Sequence, residues 1–127
     1  TKMDKKSAAL YKKMQAEIES YQNLQKSCLK MVKQRAVLES QLNENKCVLD
    51  ELNLLGPDNK VYKLFGPVLV KQELEESRQN VGKRIEYISK ELKSSTDALE
   101  NMEKDMLKHR ESVAKYQQQC QVAAAMQ

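Results

Sequence analysis

Backbone breakers are confined to the middle of this 127-residue chain. Gly56-Pro57 and Gly66-Pro67 stand close together, Gly82 stands alone, and residues 1–55 and 83–127 contain neither glycine nor proline. A chain punctuated in this way can form two long uninterrupted helices around a short central break. Composition points the same way. Charged residues make up 31%, there is one Phe and no Trp, and that is too little large apolar surface for a thick globular core. Net charge of only +4 and the scarcity of Gly and Pro do not fit a disordered chain either.

Both flanks carry apolar residues at alternating spacings of three and four. In the first flank the inward positions are Ser7, Leu10, Met14, Glu17, Tyr21, Leu24, Cys28, Met31, Arg35, Leu38, Leu42, Asn45, Leu49 and Leu52. In the second they are Leu74, Arg78, Val81, Ile85, Ile88, Leu92, Ser95, Leu99, Met102, Met106, His109, Val113, Tyr116, Cys120 and Ala123. A mean repeat of 3.5 residues sustained over so many turns defines a coiled-coil seam. Each flank would be about 75 Å long as a helix. The central break lets the chain fold back, so the expected fold is mainly α, a long antiparallel coiled-coil hairpin. Its expected organisation is one domain over 1–127: a first helix over 1–55, a turn and β-hairpin over 56–73, and a second helix over 74–127. Two alignments of the seams are possible. One sets Arg35 against Ser95 and Tyr21 against His109. The other sets Asn45 against Arg78 and leaves Arg35 facing Ile88. Pairing polar with polar residues favours the first.

Residues 1–13 hold five Lys and one Asp, while the remaining chain is balanced at 17 basic and 17 acidic side chains. The basic character belongs to one end, whereas a nucleic-acid surface needs Lys and Arg along a face with aromatics between them. No run of 18 apolar residues could span a membrane, and the first residues lack the apolar segment of a secretory signal. Cys28, Cys47 and Cys120 show no CxxC spacing and read as reduced thiols of a cytosolic protein, with neither a disulfide framework nor a zinc site. His109, the single histidine, falls on the seam, with no nucleophile or second ligand nearby in sequence. Met, Cys28 and Cys120 read as seam packing. No phosphate loop or catalytic constellation occurs. No enzymatic activity, metal or cofactor is expected.

The centre contains two β-prone runs, Val61–Phe65 and Val68–Lys71, around Gly66-Pro67, with Pro57-Asp58-Asn59 as a separate turn. Gly-Pro is not a usual two-residue hairpin pair, which leaves the turn type open. Val61, Tyr62, Leu64, Phe65, Val68, Leu69 and Val70 do not alternate with polar residues, so both faces of the hairpin are apolar. A lone two-stranded hairpin is marginal in water, and its edges accept further strands. Burying these seven side chains would stabilise an assembly by on the order of 10–20 kcal/mol. They are the expected oligomer interface, forming a shared sheet or barrel with other copies of a similar hairpin. The competing arrangement folds the hairpin back onto its own helix base.

The run from Lys60 to Glu73, KVYKLFGPVLVKQE, followed by VGKRIEYI from Val81 to Ile88, closely resembles the β-class subunits of prefoldin. The similarity is sharp from about Leu52 to Leu92 and rests on periodicity beyond. The resemblance implies a hexamer of two α-class and four β-class subunits whose hairpins build a double β-barrel. It implies ATP-independent capture of unfolded proteins such as actin and tubulin and their delivery to the cytosolic chaperonin, with no nucleic acid or membrane partner and a cytoplasmic location. It also implies client binding at the far coil ends, where the candidates here are Met3, Leu10, Met14, Val113, Tyr116, Val122 and Met126. The alternatives are a structural or tethering coiled coil without client binding, and a helical hairpin that binds RNA through its amino-terminal lysines.

Overall fold

The computed structural model describes residues 4–126. Four elements follow in chain order: helix α1 (Lys5–Asn53), strand β1 (Val61–Phe65), strand β2 (Val68–Gln72) and helix α2 (Leu74–Ala125). Asp4 starts α1 as its N-cap, its carboxylate accepting the Ser7 N–H at 2.6 Å. Glu75 and Glu76 occupy the first turn of α2, where negative charge complements the helix dipole. Between these starts and the central break nothing in the sequence interrupts the helical hydrogen bonding.

The chain divides into two units. The first takes in the residues up to Lys33 and from Thr96 onward; the second spans Gln34–Ser95. In the first unit α1 and α2 meet where Cys28 Sγ lies 3.6 Å from the thioether sulfurs of both Met102 and Met106. His109 Nδ1–H donates there to the Glu17 carboxylate. In the second unit Arg78 reaches the carbonyls of Leu52 and Leu55. Cys28 with Met102, and Leu52 with Arg78, lie on the alignment that sets Arg35 against Ser95. Arg35 itself makes an ion pair with Glu39, one turn along its own helix, at 2.6 Å. Asn45 likewise donates to the Gln41 carbonyl of its own helix, at 2.7 Å. Arg35 and Asn45 thus bond within their own helix, whereas Glu17, His109 and Arg78 bond across the pair.

Every inward position expected from the heptad pattern is buried or half-buried. Deep burial is nevertheless rare, because two helices shield only one side of each other. Among the described residues the buried hydrophobic side chains are Leu52 and Ile88, at 7% and 4% exposure, both in the second unit.

The helix α1 ends just before the central break. Leu54 and Leu55 donate to the carbonyls of Glu51 and Leu52, tightening the last turn to i→i+3 bonding. Gly56 to Asn59 then closes a turn, with Asn59 N–H donating to the Gly56 carbonyl and Asn59 Oδ1 accepting the Gly56 N–H.

Candidate functional site

The β-hairpin of the second unit is a two-stranded antiparallel sheet in which Phe65 faces Val68, Leu64 faces Leu69, Lys63 faces Val70, Tyr62 faces Lys71 and Val61 faces Gln72. The strand β2 therefore runs one residue beyond the expected Lys71, because Gln72 completes the pair with Val61. Gly66 adopts φ +57°, and proline supplies a fixed negative φ next to it. Those are the φ signs of a type II′ turn, which matches strand twist. The Gly-Pro pair, unusual by frequency, thus meets the stereochemical requirement of a tight hairpin.

Alternation along the strands puts Val61, Phe65, Val68 and Val70 on one face with Lys63 and Gln72, and Tyr62, Leu64 and Leu69 on the other with Lys71. Both faces are open. Leu64 and Leu69 are about two-thirds exposed, Tyr62, Phe65 and Val68 about half, and Val70 somewhat less; Val61 alone of the seven is half-buried. The hairpin does not fold back onto its helix base. Lys63 Nζ stands 5.1 Å from the centre of the Phe65 ring, so its stem covers apolar surface on that face. Leu54, off the seam at the end of α1, is also almost fully exposed and was not among the expected interface residues. Its off-seam apolar character next to the break is the sequence signal for it.

At the other candidate surface, in the first unit, Leu10, Met14, Val113 and Tyr116 are half-buried on the seam, whereas Val122 and Met126 are exposed, Met126 at 83%. Met3 lies outside the described residues. Leu10, Val122, Ala123 and Met126 line an open groove of about 670 Å³ together with Asp4, Lys6, Ser7, Gln118 and Gln119. The groove brings Leu10, Val122 and Met126 together; Met14, Val113 and Tyr116 do not line it. The glutamines were missed because they bear no apolar pattern. Among the described residues no group of three or more His, Cys, Asp or Glu side chains could hold a metal ion, and no helix is long and apolar enough to cross a membrane.

Two long helices joined by a two-faced apolar hairpin define a coiled-coil subunit whose central strands are left open for pairing. The family described as "Prefoldin subunit" matches residues 15–120. Prefoldin subunit 6 of Mus musculus is 48% identical over 116 residues, covering 91% of each chain. Prefoldin subunit 6 of Arabidopsis thaliana is 44% identical over 123 residues, covering 94% of this chain and 95% of that one. The crystal structure of the prefoldin beta subunit from Thermococcus strain KS-1 is 29% identical, with a TM-score of 0.60 over 87% of this chain and 90% of that one. The chain belongs to the prefoldin subunit family, and its role is that of a co-chaperone subunit.

Proposed function

We propose that the chain, as a single domain over residues 1–127, is a β-class member of a cytoplasmic hetero-hexamer of two α-class and four β-class prefoldin subunits. The assembly binds unfolded proteins of the actin and tubulin type without ATP and passes them to the cytosolic chaperonin. The observation that supports this best is the hairpin: apolar on both faces, open at both edges, and too small to be stable unaided. Other hairpins adding strands to it would cover Val61, Tyr62, Leu64, Phe65, Val68, Leu69 and Val70 in a shared barrel. The groove at Leu10, Val122 and Met126 supports client binding at the helix ends, because flexible Met side chains repack against partners of varied sequence.

Two measurements test the proposal. Native mass of the chain mixed with an α-class subunit is expected to give a hexamer of two α-class and four β-class chains; a persistent monomer overturns the assembly. In that hexamer, replacing Met3, Leu10, Met14, Tyr116 and Met126 by Ser is expected to abolish suppression of client aggregation. Unchanged suppression with the hexamer intact refutes the client surface and favours a tethering role.

A further inference from the structure

The first unit contains a sulfur cluster that neither assembly nor client binding requires. Cys28 on α1 faces Met102 and Met106, one turn apart on α2, with its Sγ 3.6 Å from each thioether sulfur. A thiol has one hydrogen and can donate to only one of two equidistant acceptors, and S–H is a weak donor. Two soft lone pairs therefore converge on a third sulfur whose proton satisfies one of them at a time.

We infer that Cys28, Met102 and Met106 form a three-sulfur binding site for one copper(I) ion. Soft thiolate and thioether donors select copper(I), and the absence of any nitrogen or oxygen donor in the set disfavours harder divalent ions. Sulfur atoms sharing one ion through bonds of about 2.3 Å stand about 4 Å apart, so each Cys28–Met separation of 3.6 Å needs to widen only slightly. All three residues are half-buried. Burial is compatible with the charge: the thiol releases its proton to solvent, and one thiolate, two neutral thioethers and a monovalent cation sum to zero. No electron is transferred. The ion has a way in, since Cys28 and Met106 line an open notch of about 500 Å³ with Gln22, Gln25, Lys26 and Leu29. Bound copper(I) would tie α1 to α2 within this unit.

The test is an anaerobic titration of the full chain with copper(I) against a chromophoric copper(I) chelator. One ion per chain is expected. Cys28→Ser should remove it, and Met102→Leu with Met106→Leu should weaken it at least about tenfold, since even outer-shell metal partners carry that much. Leu conserves the volume of Met, which keeps the helical pair intact, and far-UV circular dichroism verifies this. Cys47→Ser and Cys120→Ser should leave the titration unchanged. Copper(I) should also raise the melting temperature of the wild-type chain but not of Cys28→Ser. Unaltered binding by Cys28→Ser, or wild-type affinity in the double Met variant, overturns the site. So does zinc(II) displacing the copper(I).

Discussion

Arg78 Nε and Nη2 both donate to the carbonyl of Leu52, at 3.2 and 3.0 Å, across 26 residues of chain. Nη2 also donates to the Leu55 carbonyl at 3.1 Å. These carbonyls sit at the C-terminal end of α1, where the helix dipole is negative and Leu52 accepts only the i→i+3 backbone bond from Leu55. No basic residue of α1 itself lies in that last turn. A cation from the start of α2 supplies what the helix lacks, and in doing so fixes where the chain enters the turn before β1. Replacing Arg78 by Ala should destabilise the chain by about 1.5–3 kcal/mol, as expected for charged hydrogen bonds at a part-buried site. Lys, lacking the planar fork, should restore less than half. Urea denaturation monitored by helicity measures both.

Gly66 and Gly82 should respond to Ala in opposite directions. Neither would bring a Cβ within 4 Å of a neighbour, so backbone conformation alone decides. Gly66 has φ +57°, where an L-residue costs about 1–2 kcal/mol, and Gly66→Ala should lower the denaturation midpoint. Gly82 lies inside α2, and Gly82→Ala should raise stability by about 0.8–1 kcal/mol. Equal shifts of the same sign would contradict the positive φ of the hairpin turn.

The hairpin prediction concerns assembly rather than stability. Phe65 and Leu69 lie on opposite faces, paired with Val68 and Leu64. Changing both to Asp puts a charge on each surface that a neighbouring strand would cover, and burying it is costly even beside Lys63 and Lys71. The double variant should keep its helical circular dichroism, because both side chains are exposed in the single chain. It should fail to enter a hexamer in size-exclusion chromatography with an α-class subunit. Normal assembly would remove the hairpin from the interface.

The parts of this molecule that could be read from residues are those with a one-to-one physical code. Spacing of three and four maps onto one helix face, and so each expected inward residue, from Leu10 to Leu52 and from Leu74 to Ala123, is at least half-buried. The central string, with its β-branched residues and breaker, likewise announced two strands. Arg78 was not readable as a cap: its acceptors are backbone carbonyls, which carry no side-chain signature. The turn type stayed open because frequency of Gly-Pro says little about φ, whereas the sign of φ that each residue tolerates says much. His109 was set against Tyr21, and its hydrogen bond goes instead to Glu17, one turn away on the same seam. The signal was present, since Glu17 and His109 are both polar at apolar positions, and a hydrogen bond between them outweighs strict opposition when side chains are long enough to lean.

That pair makes a double-mutant cycle informative. Glu17 and His109 are each about 30% exposed, so solvent competes with their hydrogen bond without replacing it. Changing either alone to Leu should cost about 0.5–1.5 kcal/mol, because the remaining polar group keeps its place in an apolar seam with no partner. Changing both to Leu converts the position into an ordinary coiled-coil layer, and such replacements are often neutral or stabilising. The double variant should therefore be at least as stable as the parent, with a coupling term of about 1 kcal/mol or more. Urea denaturation of the four proteins gives that term directly. Additivity to within about 0.3 kcal/mol would mean that the two side chains act independently and that the seam is held here by its apolar neighbours alone.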